Sequence, residues 1–272
     1  MILDYHTHYS LWEPECCTPN PDEDRNVEAM MAGGAERICL SGSNELVSRL
    51  AKKYPGFIIP FIYIRPGTDK PEVIKKYLQK GFKGLKFHLP KFRYDDERCF
   101  KYYELAEKAG LPTLFHTAIS AGAGSPFQKK IKFSSDFTRP ITLDRVGRCF
   151  PALKIVGAHL GYPWYAEALG LLAWFPNIYW DLTIGQLSCE RGGKSYIKEQ
   201  MLHFYKEGAL NPSKLLYGSD SMLERPAEEF KGRLGWAKRT IKFELEALGL
   251  KQEAQELILG RNAEKLLGLS PL

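Results

Sequence analysis

Short runs of β-branched and aromatic residues alternate with longer amphipathic stretches along the whole chain. The apolar runs fall at 1–5, 36–41 (ERICLS), 57–64 (FIIPFIYI), 82–88 (FKGLKFH), 111–116 (LPTLFH), 153–159 (LKIVGAH), 177–182 (NIYWDL) and 214–219 (KLLYGS). Helical periodicity predicts helices over 21–32, 44–54, 70–80, 95–109, 139–149, 163–174, 194–207, 226–248 and 252–267. Gly33–Gly34, Gly56, Gly81, Gly110 and Gly208 follow the last turns of several of these, where a helix stop is expected. Strand followed by helix, repeated eight times, is the pattern of a parallel sheet with helical crossovers. From His6 to Asp220 the chain makes seven strand-to-strand steps over 214 residues, about 31 each. That spacing fits a (β/α)8 barrel, of the TIM-barrel kind, with an extra helix at the C-terminal end. A doubly wound open sheet is the other parallel architecture, and no glycine-rich fingerprint follows the first strand to support it. No Pro/Ser-rich linker divides the sequence, so residues 1–272 are expected to form one domain.

Composition narrows the class. Apolar residues make up 44% of the chain, which is enough for a packed core and too much for a disordered one. The longest apolar stretch, at 168–175, is far too short to span a bilayer, and the N-terminus has neither the basic start nor the apolar run of a signal peptide. A cytoplasmic protein with no membrane partner is expected. Six cysteines without a CxxC spacing fit that compartment; the adjacent pair Cys16–Cys17 reads as two loop thiols, with a second soft-metal site as the minor alternative. The net charge of +6 is mild and leans toward an anionic small molecule as substrate. Nucleic acid is not expected, because the basic runs at 75–86 and 128–132 lack interleaved aromatics.

Five of the six histidines end proposed strands: His6 and His8 on the first, His88 on the fourth, His116 on the fifth and His159 on the sixth. Only His203 falls on a helix, and the eighth strand ends with Asp220 at the same level. In a barrel all strand ends converge on one mouth. Side chains two apart on a strand share a face, so His6 and His8 can reach one ion at the usual ~2.1 Å. A third imidazole and a carboxylate would suit Zn²⁺, Mn²⁺ or Fe²⁺. A lone HxH at a strand end is more often a hydrogen-bonded structural pair. It is the whole set, five histidines and an aspartate at strand ends, that favours a metal site.

These residues carry a resemblance. DYHTH, GFKGLKFHLP, FHTA, AHLG, YGSDS and ILGRNAEKLLGL, in this order and spacing, are similar to motifs of the amidohydrolase superfamily in its Amidohydro_2 branch. That branch includes aminocarboxymuconate semialdehyde decarboxylase and related enzymes. The resemblance runs from the first strand to the last helix and implies a metal-dependent TIM barrel. It implies His6, His8, His116 and Asp220 as ligands, with His159 beside the metal-bound water or on a second metal. TatD-type nucleases fit less well, since they place a glutamate where this chain has KFH. Barrels of the polymerase-and-histidinol-phosphatase type want a histidine beside the final aspartate, which GSDSM lacks.

A divalent metal lowers the pKa of a bound water toward ~7, making a nucleophile available at neutral pH. Asp220 is expected to take the proton from that water and pass it to a leaving group, while His159 steadies the attacking oxygen or polarises the substrate. Lys86 and His88, two apart on strand 4, share the inward face. Lys86 is expected as a protonated anion holder; a carboxylated lysine bridging two metals occurs in the superfamily, and a structural lysine paired with a core carboxylate is the plain alternative. Arg65 (YIRP) and Arg225 (LERP) follow strands 3 and 8, where they either clamp a substrate carboxylate or remain solvated loop arginines. Asp181 is placed to orient a ligand histidine. Tyr162 and Trp164 line the pocket or simply pack. The small and polar segment 117–138 and the β1–α1 loop at 9–21 are expected as pocket walls, with disorder as the alternative for 117–138.

The expected activity is hydrolysis of a C–N or C–O bond (amide, lactone or ester) in a small, carboxylate-bearing compound. The runner-up is a lyase on the same site, a non-oxidative decarboxylase or hydratase. A catalytically silent metal-binding barrel is the third class, and the convergent basic residues argue against it. Family habit adds a homodimer to the expectations.

Overall fold

The strand that carries the two neighbouring histidines is longer than its apolar start indicates. β1 runs Leu3–Tyr9, because the backbone of HTHY pairs with its neighbours as well as LDY does. The computed structural model describes residues 2–120, 126–183, 203, 206–207, 210–225 and 250–270. The other strands are β2 (Arg37–Gly42), β3 (Ile58–Ile64), β4 (Gly84–Phe87), β5 (Thr113–Phe115), β6 (Ile155–Gly157), β7 (Ile178–Thr183), β8 (Leu215–Gly218) and the short β9 (Ser221–Met222). All pair in parallel, in the order β8-β7-β6-β5-β4-β3-β2-β1-β9.

β8 falls within the strand expected at 214–219, and β9 follows it after a two-residue break, beyond that range. β8 pairs with β7 and β9 with β1, where Ser221 stands opposite Thr7 and Met222 opposite His8. The break between them closes the curl into a barrel: Asp220 N–H donates to His6 O at 2.8 Å and Leu223 N–H to His8 O at 2.8 Å. Asp220 sits in the left-handed region (φ 52°), which turns its side chain out of the strand path.

The helices between strands are α1 (Glu23–Ala32), α2 (Asn44–Lys53), α3 (Val73–Leu78), α4 (Phe100–Lys108), α5 (Pro126–Ile131), α6 (Thr142–Cys149) and α7 (Tyr165–Trp174). A final helical segment, Gln252–Leu267, contains one wide turn at Leu257–Arg261. The helices expected over 194–207 and 226–248 lie outside the described residues, apart from 203 and 206–207. Segment 117–138 is not a plain loop: it contains α5 and a 3₁₀ turn, Ser135–Thr138. No helix among the described residues is long and apolar enough to cross a membrane.

Two apolar layers follow from strand alternation. Leu3, Tyr5, Cys39, Ile59, Phe61, Leu114, Val156 and Leu216 pack together inside the barrel. Ile38, Leu40, Ile62, Ile64, Leu85, Phe87, Phe115 and Trp180 pack outward against the helices. Strict period 2 would set Tyr5 on the face opposite His6. The pairing of β1 with β2 slips between Asp4 and Thr7, where three steps on β1 face two on β2. This bulge lets Tyr5 fill the interior against Phe61 (ring centroids 5.3 Å apart) while His6 and His8 both face the mouth above it.

Gly157 makes room for the largest buried side chain. A Cβ there would come 2.0 Å from the Trp180 ring, so the ring would have to move within a packed layer. Gly157→Ala is therefore expected to lose about 1–3 kcal/mol of stability, read as a lower urea midpoint.

Candidate metal centre

Three imidazoles are held the same way round. His6 Nδ1 lies 2.8 Å from Asp181 Oδ2, His8 Nδ1 3.0 Å from Ser41 Oγ, and His159 Nδ1 2.5 Å from Thr183 Oγ1. Ser41 spends its own proton on Thr7 O (3.3 Å), so it accepts from His8 Nδ1–H. Asp181 Oδ1 accepts the His159 N–H at 2.7 Å, and its Oδ2 lies beside His6 Nδ1 outside hydrogen-bond geometry. His8 therefore presents an Nε2 lone pair to the mouth, the tautomer a metal ligand needs, and the carboxylate oxygen 2.8 Å from His6 Nδ1 favours the same tautomer there.

Those lone pairs meet. His6 Nε2 and His8 Nε2 are 2.9 Å apart, and Asp220 Oδ1 lies 3.1 Å from the second and 3.6 Å from the first. Two imidazole lone pairs this close repel unless a proton or cation mediates. Separations of this size are the chords subtended at roughly 90–120° by bonds of ~2.1 Å, so the three donors fit one divalent cation. His6, His159 and Asp181 form a second close group that shares His6. His116, just past β5, belongs to neither group among the described residues; its Nε2 is buried with no hydrogen-bond partner, and its ring centroid is 5.1 Å from that of His159.

Electrostatics keep the donors in ligand form. Burial lowers the pKa of His6, His8, His88 and His116, and takes His159 down to about 4, so the imidazoles are neutral. Burial works against ionisation of Asp220, but its close contacts with His8, His6 and His159 outweigh it and hold the carboxyl well below its ordinary value. Asp4 accepts from Ser219 N–H (2.9 Å) and His6 N–H (3.2 Å), which ties β1 to the β8–β9 break; burial raises its pKa to about 7. Nothing in the sequence distinguished Asp4 from an ordinary early charge.

Lys86 is fully buried with its Nζ 2.8 Å from His6 Nε2, and burial lowers its pKa to about 8 against the pull of Asp181 and Asp220. His88 receives the Tyr63 hydroxyl at Nδ1 (2.8 Å) and stacks edge-on against Trp12 (5.4 Å). Above these groups opens a cavity of about 100 Å³, lined by Lys86, His88, His116, His159 and Asp220 together with Leu11, Trp12, Ile119 and Ser120. The β1–α1 loop and the start of segment 117–138 thus supply its walls. Trp12 and Ile119 carried no signal in the sequence beyond their place in those loops.

The remaining candidates sit elsewhere. Arg65 is bound to Asp69 and Glu15 and lines a neighbouring cavity. Arg225 and Tyr162 are not among the residues lining the histidine cavity. The Arg225 backbone accepts from Asn26, and Tyr162 packs edge-on against Tyr165. Trp164 lies under the Arg139 guanidinium. Cys16 and Cys17 are free thiols that each face a nearby backbone carbonyl.

A family model of the amidohydrolases matches residues 4–269, from the first strand to the end of the last helix. The chain belongs to the amidohydrolase family. The barrel agrees with solved structures of similar fold. An uncharacterised TIM-barrel protein from Bordetella bronchiseptica is 22% identical, with 98% of each chain covered and a TM-score of 0.68. A probable 2-pyrone-4,6-dicarboxylic acid hydrolase from Acinetobacter baumannii, solved with citric acid bound, is 16% identical over 98% of this amidohydrolase and 99% of that chain, with a TM-score of 0.65. A 5-carboxyvanillate decarboxylase from Sphingomonas paucimobilis is 12% identical over 99% of both chains, with a TM-score of 0.61. Hydrolases and decarboxylases thus share this fold. Among curated proteins no match is found.

Proposed function

We propose that this amidohydrolase hydrolyses a C–N or C–O bond of a small carboxylate-bearing compound. His6, His8, His116 and Asp220 would hold one divalent cation, with Zn²⁺ favoured over Mn²⁺ or Fe²⁺. The observation that carries the reading is the meeting of His6 Nε2, His8 Nε2 and Asp220 Oδ1 beside a cavity that His8, Asp220 and Lys86 line. When bound, such a cation supplies a water of lowered pKa and a Lewis acid at the same point. Asp220, ionised and 26% exposed, accepts the proton of the attacking water and returns it to the leaving group. His159, neutral and fixed at Nδ1 by Thr183, offers Nε2 to orient that water. Lys86 holds the substrate anion in its protonated form, and His88, steadied by Tyr63, contributes a second polar contact.

A lyase reading has support from the same cavity. A cationic Nζ at its base and the apolar walls Leu11, Trp12 and Ile119 would suit a flat acid losing carbon dioxide. The fold neighbours include such an enzyme, the 5-carboxyvanillate decarboxylase. The test is a panel of lactones, amides, esters and aromatic acids offered to protein reconstituted with Zn²⁺ or Mn²⁺. Acid release from a lactone, amide or ester is expected. Carbon dioxide release from an aromatic acid, with no hydrolysis of any member, would replace hydrolase by lyase.

The lysine has its own test. Lys86→Met is expected to raise KM for an anionic substrate about 10- to 100-fold, the worth of one charged hydrogen bond. Unchanged KM and metal content would leave Lys86 a structural cation.

A further inference from the structure

Beside the histidine cavity lies a larger one of about 640 Å³, and Leu11 and Trp12 line both. Tyr63 and Arg65 from the end of β3 and Lys130 from α5 complete much of its wall. Tyr63 links the two spaces directly, since its hydroxyl bonds His88.

Two carboxylates of different character hold Arg65. Asp69 takes the guanidinium bidentately, Nε to Oδ2 at 3.0 Å and Nη2 to Oδ1 at 2.7 Å. Asp69 is itself pinned, because it accepts the Arg65 N–H at 2.7 Å and its carbonyl accepts the Tyr102 hydroxyl at 2.5 Å. Glu15 arrives from the β1–α1 loop and places Oε1 2.6 Å from the same Nη2. The Arg65 side chain is 12% exposed, whereas that of Glu15 is 70% exposed. Asp69 already neutralises the arginine, so Glu15 adds a surplus negative charge on an arm that lies mostly in water. Ion pairs of this kind are weak.

We propose that Glu15 holds the place of a substrate carboxylate. The compound would carry two anionic groups on an apolar spacer. One group sits near Lys86, the spacer passes Trp12 and Leu11, and the distal carboxylate displaces Glu15 from Arg65. This deepens the functional reading above and rests on it for the reacting end of the molecule. The exchange leaves the charge around Arg65 unchanged, so no unpaired ion is buried. Covering Trp12, which is 39% exposed, with the spacer removes apolar surface from water, which Glu15 in that position cannot do. Lys130, which also lines this cavity, adds attraction for an incoming dianion.

The test measures binding and needs no turnover. The full chain, reconstituted with Zn²⁺, is titrated calorimetrically with the α,ω-dicarboxylates from succinate to suberate and with the matching monocarboxylates. One length of dicarboxylate is expected to bind about tenfold or more tightly than its monocarboxylate, the worth of one charged contact. Glu15→Gln should tighten that dicarboxylate about 2- to 5-fold, by removing a weak competitor, and leave the monocarboxylate unchanged. Arg65→Met should abolish the preference. Absence of a preferred length, or an equal effect of Glu15→Gln on both classes, overturns the proposal, as does weaker dicarboxylate binding in that variant. Hydrolysis of monoanions without any dicarboxylate preference would sink this inference alone. A dicarboxylate preference in a protein that hydrolyses nothing would sink the functional reading alone.

Discussion

His6→Ala and His8→Ala are each expected to strip most of the divalent metal from the protein and to remove its activity with it. The expected size follows from the geometry. His6 and His8 contribute two of three donors that meet within 2.9–3.6 Å, and each has its own neighbour at Nδ1, so neither can be replaced by a shift of the other. Loss of a well-oriented ligand outweighs the 10- to 100-fold typical for removing a supporting group behind one. Elemental analysis after dialysis, alongside far-ultraviolet circular dichroism, separates metal loss from unfolding. His8→Ala is the cleaner variant, because removing the His6 ring also leaves buried Asp181 and Lys86 without that neighbour. Asp181→Asn should act one step back. It leaves every donor in place but offers His6 Nδ1 an amide, and affinity should fall about 10- to 100-fold without total loss.

Asp220→Asn is expected to part binding from chemistry. The amide keeps an oxygen of similar shape 3.1 Å from His8 Nε2, so metal content should fall only in part. It cannot accept a proton at neutral pH, so turnover should fall by about 10²–10⁴, the usual worth of a positioned general base. Single-turnover rates and metal content measured on the same preparation decide this. A variant that keeps its metal and turns over within a few-fold of wild type would move the base to His159. His116→Ala should lose metal and activity together. If it loses activity alone, the buried, unpartnered Nε2 of His116 addresses the substrate instead.

The barrel was legible because parallel strands covered on both faces read as short unbroken apolar runs, with glycines ending the helices between them. The candidate site was legible because histidine is scarce here and five of six fall at the ends of those runs. What could not be read depends on contacts distant in sequence. The bulge in β1 exists because Tyr5 finds Phe61, and the break in β8–β9 because Asp220 N–H finds His6 O. Asp4 looks like any early acid until the Ser219 N–H arrives 215 residues later. Arg65 read as either a carboxylate clamp or a solvated loop arginine after β3. Its pairing with Asp69 is a local one that the four-residue spacing could have suggested, but its second partner, Glu15, lies on a different loop. Helix α5 was hidden in segment 117–138 because six residues, opened by a proline, give too little periodicity to stand out from a loop.

The central claim is that one divalent cation sits between the β1 histidines and Asp220. A crystal structure of protein reconstituted with Zn²⁺ or Mn²⁺, with anomalous difference maps at the metal edge, tests it directly. One strong peak is expected within ~2.0–2.3 Å of His6 Nε2, His8 Nε2 and an Asp220 oxygen, with His116 Nε2 facing it. A peak held by His159 and Asp181 without His8, or no peak in fully reconstituted crystals, would contradict the account.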